Sequence, residues 1–492
     1  MYIGVDFGTS FSQAAIMEFG QPVMLQEKGE YGTPSVFYYD QNTDIAVGQD
    51  AIDCGQGNLS VNMKTDVKMA LKDNQPFIAD GREFSCSQIV SEIYKCVLNK
   101  AKRIAANSGL DNTINGMVIT VPAKFGYLER DIIFKSAANA LGDAKLPITG
   151  VLKEPVAAAL HYFKTNVEDG KNILVFDLGG GTCDIALVRA NSASKEFYNV
   201  IDSEMERIGG RNWDEKVAEY LSAEYEKMTG IRVSEKPAYV RKVLDAARRG
   251  KHRLTDQEKA FCRIEIDGEV NQIVLTLDKF NELTAPLLDQ AVSALKRVYN
   301  RHVSDCEIDE IICVGGSSNM KQVAEKIKEE FPLCNTHVYF PEYAVVYGAA
   351  LYADIRKDNV IEAANVIDKA NFSYGIQIVE DKGTPQEKYQ IQNMVIKDDA
   401  LPASSMRNYR PSEDNQAFIA FRTYETDTKN QRCNMDEFPM TKIGELRIEL
   451  PPNTPKTTDI RTQLTLNENG VLEVRAWDLD GNLIHTEFNV NQ

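Results

Sequence analysis

The sequence has no cysteine pattern typical of a metal site or a disulfide framework. Its nine cysteines are scattered over 492 residues, with no Cys-x-x-Cys pair and no histidine cluster beside them. Structural zinc sites need closely spaced Cys and His ligands, and disulfide frameworks are a feature of small secreted chains. We therefore predict isolated buried thiols in a reducing compartment.

The sequence also lacks long apolar runs and an excess of positive charge. No segment approaches the about 20 apolar residues of a membrane-spanning helix, and no cationic leader precedes the first strand pattern at residue 2. The formal net charge is −17, from 55 basic and 72 acidic side chains. A field of that sign repels nucleic acid and anionic membranes. We expect a cytoplasmic protein with neither as a partner.

Length and hydrophobic pattern together predict two domains of different class. A chain of 492 residues is too long for one core, and its apolar fraction of 43% is that of a globular protein. Up to about residue 355, buried strands alternate with amphipathic helices, which is typical of an α/β sheet covered by helices. After that, apolar and polar residues alternate around turns such as Asn469-Gly470, which indicates antiparallel strands. We predict an α/β domain over 1–357, a linker over 358–371 and an all-β domain over 372–492.

Two segments of the first domain repeat one pattern. Residues 6–10 read Asp-Phe-Gly-Thr-Ser, and residues 177–184 read Asp-Leu-Gly-Gly-Gly-Thr-Cys-Asp. Each lies between two apolar strands, which predicts a β-hairpin whose glycine tip presents backbone N–H groups. Such N–H groups bind phosphate oxygens, and a neighbouring carboxylate can hold hydrated Mg²⁺. One such hairpin could be an ordinary tight turn, but the repeat favours a phosphate and Mg²⁺ site.

Several motifs together resemble DnaK-type chaperones, the 70-kDa heat-shock family, in order and spacing. In the first domain they lie at residues 6–10, 118–123, 154–159, 177–184 and 314–317. Residues 401–402, 413–416 and 469–474 resemble the peptide-binding β-sandwich of that family. The family's helical lid has no counterpart, so the resemblance is to a lidless or truncated form. It implies an actin-like ATPase of duplicated ribonuclease H-like lobes, followed by the sandwich.

The resemblance implies roles around ATP or ADP and Mg²⁺. Asp6 and Asp177 would hold the hydration shell of Mg²⁺, and Thr9 and Thr182 would bind the phosphates. Asp184 lies at the family's monovalent-cation position, which suggests K⁺. Two aspartates that merely cap turns are the alternative, but their equivalent places in a repeated pattern favour the metal.

A lysine and a glutamate complete the implied catalytic set of Asp6, Lys64, Glu154, Asp177 and Thr182. Lys64 aligns with the family's lysine that positions the attacking water, and Lys68 is the alternative if that alignment slips by one turn. Lys64 could also be a solvated surface lysine, since it lies in a polar stretch. Glu154 would orient water or Mg²⁺, although an acid at a helix start also favours the helix dipole.

The nucleotide-binding set implied by the resemblance extends over both predicted lobes. It consists of Gly8, Thr9, Ser10, Phe11, Lys64, Gly179, Gly180, Gly181, Thr182, Gly209, Gly210, Arg248, Lys251, His252, Thr255, Gly315, Gly316, Ser317, Asn319 and Glu342.

The sequence departs from the family at the adenine and at the linker. The family holds adenine between two arginines, whereas His252 and Asn319 stand at those positions here, and Arg248 replaces an acid expected near the ribose. We therefore expect adenine binding that is weaker or differently built. The family's run of leucines in the linker is reduced to 366–368, Val-Ile-Asp, which puts coupling between domains in doubt.

By position, five residues of the second domain match the family's peptide groove: Ile376, Val379, Tyr409, Ile419 and Phe421. Alternation along residues 418–421 predicts that Ile419 and Phe421 share one face of a strand. These residues could instead belong to the core of the sandwich, above all Phe421.

We predict an ATP-dependent chaperone that hydrolyses ATP slowly and binds extended hydrophobic segments of unfolded proteins. J-domain co-chaperones and nucleotide-exchange factors are the further partners that the resemblance implies. Two alternatives use the same fold: a sugar-kinase-type phosphotransferase, and a nucleotide-binding scaffold protein of the actin type. Both would leave the β-domain unexplained.

Overall fold

The structure is a computed structural model that describes residues 1–27, 29–30, 32–55, 61–142, 148–166, 171–191, 197–358, 365–477, 481 and 483–486. Two compact units make up the chain. The first comprises Met1–Lys124 and Ile132–Asn365, and the second comprises Phe125–Asp131 and Val366–Gln492. The boundary at 365/366 falls inside the predicted linker, of which residues 359–364 lie outside the described residues.

The first unit is built around mixed β-sheets. The strands up to the unit boundary are β1 (Tyr2–Phe7), β2 (Phe11–Glu18), β3 (Gln21–Met24), β4 (Thr33–Pro34), β5 (Phe37–Asp40), β6 (Asp44–Val47), β7 (Met63–Lys64), β8 (Phe77–Ala79), β9 (Arg82–Phe84), β10 (Gly116–Val121), β11 (Ile148–Lys153), β12 (Asn172–Leu178), β13 (Cys183–Asn191), β14 (Phe197–Glu206), β15 (Lys259–Ile266), β16 (Glu269–Thr276), β17 (Glu310–Val314), β18 (Asn335–Val338) and β19 (Asn365–Ile367).

Ten α-helices accompany these strands in the described part of the chain. They are α1 (Gln49–Gly55), α2 (Val67–Ala70), α3 (Cys86–Asn107), α4 (Tyr127–Leu141), α5 (Glu154–Asn166), α6 (Gly210–Thr229), α7 (Pro237–Arg253), α8 (Leu277–His302), α9 (Lys321–Glu330) and α10 (Ala344–Ile355). Short 3₁₀ turns lie at Val233–Glu235, Gly316–Asn319 and Arg356–Asp358.

Two sheets of the first unit repeat one topology. The first contains the run β11-β10-β1-β2-β3, and the second contains the run β18-β17-β12-β13-β14. In each, three neighbouring strands run parallel and the next two pair antiparallel in hairpins. Strands β1 and β12 hold equivalent central positions. Asp6 and Asp177, near the ends of these strands, are therefore equivalent by topology as well as by motif.

Local sequence explains why the helices begin and end where they do. Ser85 precedes α3 and accepts a hydrogen bond from the N–H of Gln88, whose side chain bonds back in a capping box. Helix α6 ends at Gly230, whose φ of 74° lies in the left-handed region that favours glycine. Helix α7 begins with Pro237, whose fixed φ suits a first helical position. None of the described helices is long and apolar enough to cross a membrane.

The second unit is dominated by antiparallel strands. They are β20 (Ser373–Glu380), β21 (Lys388–Val395), β22 (Ala403–Tyr409), β23 (Phe418–Thr426), β24 (Arg432–Asn434), β25 (Met440–Glu449), β26 (Ile460–Leu466), β27 (Leu472–Trp477) and β28 (Leu483–Thr486). One sheet has the order β24-β21-β20-β23-β25 and the other β22-β26-β27-β28. Buried residues of both sheets form one hydrophobic cluster, so the two sheets share a core.

Candidate functional site

Four carboxylates converge near the hairpin tips of the first unit. Asp6 is the next-to-last residue of β1, Asp177 lies in β12 opposite Asp184 of β13, and Glu154 begins α5. The Thr120 hydroxyl donates to Asp6 Oδ1 at 2.6 Å, and the Ala123 N–H donates to Asp184 Oδ1 at 2.6 Å. Asp177, Asp184 and Glu154 are buried. So much negative charge away from solvent requires compensation by a cation.

Lys68 is the cation that the structure places among these carboxylates. It lies in α2 with 2% of its surface exposed, and its ammonium forms an ion pair with Glu154. Lys64, the residue preferred from the sequence, lies instead in β7, is only partly buried, and has its Nζ 5.8 Å from the centroid of the Phe77 ring. Lys68, the alternative weighed from the sequence, is therefore the lysine that joins the carboxylates in this structure, and Lys64 does not.

The pKa shifts show how strongly these groups interact. Burial, followed by repulsion from Asp6 and the other aspartates, raises the pKa of Glu154 well above its ordinary value despite the attraction of Lys68. Burial, Asp184 and Asp6 raise the pKa of Asp177 in the same way. Burial raises the pKa of Asp184 to about 6, against the hydrogen bonds from Thr182 and Ala123. Each shift would be relieved by a bound cation.

The residues present fit a magnesium ion held through water and phosphate. Asp184 Oδ2 is buried without a hydrogen-bond partner in the described structure, so this cluster retains an unused acceptor. Among the described residues, no group of three or more His, Cys, Asp or Glu is close enough to hold a metal ion directly. Mg²⁺ usually keeps several waters and binds through few carboxylates plus substrate phosphates, which suits this arrangement.

The structure brings the two glycine tips together. A Cβ added at Gly180 would lie 2.5 Å from Ser10 Oγ, and one added at Gly181 would lie 3.0 Å from Thr9 Cγ2. A Cβ at Gly8 would lie 2.3 Å from the carbonyl oxygen of Phe11. Side chains at Gly180 and Gly181 would therefore collide with Ser10 and Thr9 of the first hairpin, and a side chain at Gly8 would collide with the backbone of its own hairpin.

Two further glycine turns pack around the second hairpin. The N–H of Gly210 donates to the Gly179 carbonyl at 3.0 Å, and the Ser317 hydroxyl donates to the same carbonyl at 2.8 Å. Gly315 has a φ of 81°, and a Cβ there would lie 2.4 Å from Asp177 Oδ1. Gly316, next to it, would accept a Cβ without contact within 4 Å. The glycine turns at 209–210 and 315–316 therefore pack closely against the turn of the second hairpin.

The residues expected at the base lie on or just after α7 and in the 3₁₀ turn that precedes α9. Lys251 is buried, donates to the Gly210 carbonyl at 2.7 Å and forms a 2.7 Å ion pair with Asp214. Burial, with the positive charges of Lys251 and Arg248, lowers the pKa of His252 to about 4, so its imidazole is neutral at pH 7. Arg248 lies over the Phe11 ring, with its guanidinium carbon 5.8 Å from the ring centroid.

The second base position is more exposed. Asn319 donates to the Gly316 carbonyl at 3.2 Å and to Glu342 Oε1 at 3.4 Å. Burial raises the pKa of Glu342 above its ordinary value. The Thr255 hydroxyl donates to the backbone carbonyl of His252. The expected base positions therefore carry amide, carboxyl and imidazole groups.

Sequence reasoning missed one ion pair beside the phosphate site. Arg211, directly after Gly209 and Gly210, pairs with Asp66, which precedes α2 and adopts a φ of 56°. The left-handed conformation is uncommon for a residue with a side chain. The position of Arg211 after the glycine pair was the available signal, but its partner 145 positions earlier could not be read from the sequence.

The predicted peptide-groove residues of the second unit are mostly core. Ile376, Tyr409, Ile419 and Phe421 are each at most 9% exposed and belong to the shared hydrophobic cluster. The Tyr409 and Phe421 rings meet edge to face, with centroids 5.7 Å apart. The burial of these four side chains agrees with the alternative left open by the sequence, that they belong to the core of the sandwich. Only Val379, on the partly buried half of β20, is not fully enclosed.

A comparison with protein families agrees with this geometry. A family model described as Hsp70 protein matches residues 58–491. The match includes α2, the glycine turns at 179–181, 209–210 and 315–316, and the second unit up to residue 491.

Proposed function

The chain belongs to the Hsp70 family, and from that membership we propose that it is a chaperone that hydrolyses ATP slowly with Mg²⁺ and binds extended hydrophobic peptide segments. The family as a whole consists of ATP-dependent chaperones that bind ATP or ADP with Mg²⁺. The observation that carries the proposal is the buried Lys68, paired with Glu154 among Asp6, Asp177 and Asp184 beside two glycine hairpins.

The phosphates would be bound by the hairpins. Backbone N–H groups at the glycine tips and the hydroxyls of Thr9 and Thr182 would contact the phosphate oxygens. Asp6 and Asp177 would hold Mg²⁺ through its water shell, and Asp184 would face a monovalent cation such as K⁺. Bound Mg²⁺ would supply neutralisation of the phosphate charge. Phosphoryl transfer depends on positioning and charge stabilisation more than on a strong base.

Lys68 would act as a fixed positive charge in this reaction. Burial lowers the pKa of its ammonium, but Glu154, Asp6 and Asp184 raise the pKa further, so it ends above its ordinary value. An ammonium group that stays protonated at pH 7 cannot serve as a general base. Lys68 would instead stabilise charge on the transferred phosphate and donate to the attacking water, while Glu154 holds the ammonium in place.

Peptide binding would be a property of the second unit, supported by family membership. The four core side chains named above would support the sheets from within and would not line the peptide site. J-domain co-chaperones and nucleotide-exchange factors are proposed partners on the same basis.

The test is ATP turnover by the full chain with and without an unfolded, leucine-rich peptide. We expect slow, Mg²⁺-dependent turnover and a change in rate when peptide is added. Hexose-dependent ADP release would instead identify a phosphotransferase, and ATP-dependent light scattering would identify a filament-forming scaffold. Turnover that no peptide alters would contradict the chaperone proposal.

A further inference from the structure

Helix α2 packs against the glycine tip of the second hairpin. The helix, which carries Lys68, lies early in the chain between β7 and β8, whereas the tip at 179–181 connects β12 and β13. A Cβ added at Gly181 would lie 2.8 Å from Met69 Sδ in α2. Lys68 and Thr182 are both buried. We therefore expect a phosphate group to reach these residues only after α2 and the tip move apart.

Asp66, the residue before α2, does not cap this helix in the usual way. Its φ of 56° lies in the left-handed region, and its side chain makes no capping hydrogen bond in the described structure. An aspartate at this position usually accepts a hydrogen bond from a backbone N–H of the first turn. The carboxylate instead accepts from the Thr65 hydroxyl at 2.7 Å and forms an ion pair with Arg211. Such a backbone conformation costs free energy and is often found where a side chain has a functional role.

Arg211 reaches the same carboxylate from the second hairpin. Its backbone N–H donates to the Gly180 carbonyl at 2.9 Å, which attaches the residue to the glycine tip. Its Nε donates to Glu215 Oε1 at 3.0 Å, one turn further along α6, and this contact orients the guanidinium group. The side chains of Arg211 and Asp66 are 44% and 24% exposed. The ion pair thus lies near the surface and joins the helix that carries Lys68 to the tip of the second hairpin.

We propose that the Asp66–Arg211 ion pair is a clasp over the phosphate site that sets how fast bound nucleotide leaves. This inference rests on the proposed function, because it takes the phosphates to lie at the hairpins beside α2. The clasp is closed while nucleotide is bound and opens when nucleotide leaves, so its free energy adds to the barrier for release. Opening it separates two partly solvated charges, which is a small cost compared with exposing an apolar core. Asp66 and Arg211 are therefore positioning residues.

The experiment measures release of the fluorescent derivative N-methylanthraniloyl-ADP from the full chain with Mg²⁺, by stopped flow after addition of excess ADP. Asp66→Asn keeps the side-chain size and tolerates a left-handed backbone, and Arg211→Gln removes the charge. Each variant should speed release about two- to fivefold, which is the range for an exposed ion pair. The double variant should release no faster than either single variant. Added salt should speed release from the parent chain and change the variants less, because salt screens exposed charges.

A matched control removes a different exposed ion pair of the same unit. Arg103→Gln breaks the pair of Arg103 with Glu27 and should leave the release rate at the parent value. Parent-like release from both single variants would overturn the inference and leave the proposed function intact. Additive effects in the double variant would overturn it too, because the two residues would then act separately.

Two remaining outcomes are also decisive. Should Asp66→Asn not fold, the salt dependence of Arg211→Gln decides the question, and a dependence equal to that of the parent chain would refute the clasp. A parent chain that binds no ADP would overturn the proposed function, and the inference with it.

Discussion

At Lys68, burial and charge act in opposite directions on one ammonium group. Burial penalises the charged form, whereas Glu154 and two aspartates stabilise it, and the pKa ends above its ordinary value. The pair is mutually dependent, because removing either partner leaves the other charge buried and uncompensated. The desolvation of these buried charges costs free energy that a purely structural role does not explain. We therefore interpret the pair as part of a phosphate site.

The first prediction compares the two lysines that lie one helical turn apart in sequence. Lys68→Ala should lower ATP turnover by about two to three powers of ten, the usual effect of removing a group that stabilises the transition state. Lys64→Ala is the matched control and should stay near the parent rate, because its ammonium lies at the Phe77 ring. Single-turnover kinetics with both variants checks this. A large loss in Lys64→Ala alone would restore the sequence-based assignment.

At the scale of elements, the site forms where glycine residues allow the turns of the hairpins to pack closely together. Gly315 connects β17 to the following 3₁₀ turn at a φ of 81°, close to Asp177 Oδ1 and the Leu178 carbonyl. No side chain could occupy that position without moving one of the strands that carries a site residue. In the second unit, strand alternation decides which side chains are buried, because β23 places alternate side chains in and out of the shared core.

The second prediction concerns that glycine turn. Gly315→Ala should destabilise the first unit by about 1–3 kcal/mol, since it combines a positive φ with contacts of 2.4 Å, and it should weaken ADP binding. Gly316→Ala is the control, because a Cβ there meets nothing within 4 Å. Thermal unfolding and ADP calorimetry of the two variants provide the comparison. Equal stabilities would show that the turn can relax around a methyl group.

The third prediction separates core from peptide contact on β23. Phe421→Ala should lower the stability of the second unit by about 3–5 kcal/mol, because the side chain is 1% exposed and packs on Tyr409. Phe418→Ala, on the other face of the same strand, should cost clearly less. Urea unfolding of the full chain, followed by hydrogen exchange in β23, reports both. A Phe421→Ala chain with parent stability and lost peptide binding would support the groove after all.

At the scale of the whole molecule, the net charge of −17 opposes the polyanion that the site is proposed to bind. Positive groups close to the hairpins must therefore offset this negative field. Lys68 supplies one positive charge, while Asp6, Asp177, Asp184 and Glu154 supply up to four negative charges. Because the cluster stays negative with Lys68 alone, we expect the nucleotide and a divalent cation to bind together.

The fourth prediction follows from that coupling. ADP with Mg²⁺, at about 100 times its Kd, should stabilise the first unit by about 2.7 kcal/mol, the mass-action value for one ligand. With EDTA present, the same ADP concentration should give little stabilisation. Differential scanning calorimetry measures both. Asp177→Asn should weaken the dependence on Mg²⁺, and equal stabilisation by ADP with and without Mg²⁺ would contradict the proposed metal role.

The sequence alone determined features that depend on neighbouring residues. The helical spacing over 127–141 coincides with α4, and the apolar run before Pro122 coincides with β10 at Gly116–Val121. The repeated glycine motifs predicted the hairpins, because the strand pattern and the turn chemistry are both local. Alternation likewise placed Ile419 and Phe421 on one face of β23.

Tertiary structure alone decided which residues those local features bring together. Lys64 and Lys68 stand in similar polar surroundings in sequence, and only the packing of α2 beside Glu154 buries one of them. The same holds for Ile376 and Tyr409, whose side chains could face a groove or a core until the two sheets close over them. Local preference fixes periodicity and turns, whereas burial and charge partners depend on contacts between residues far apart in the chain.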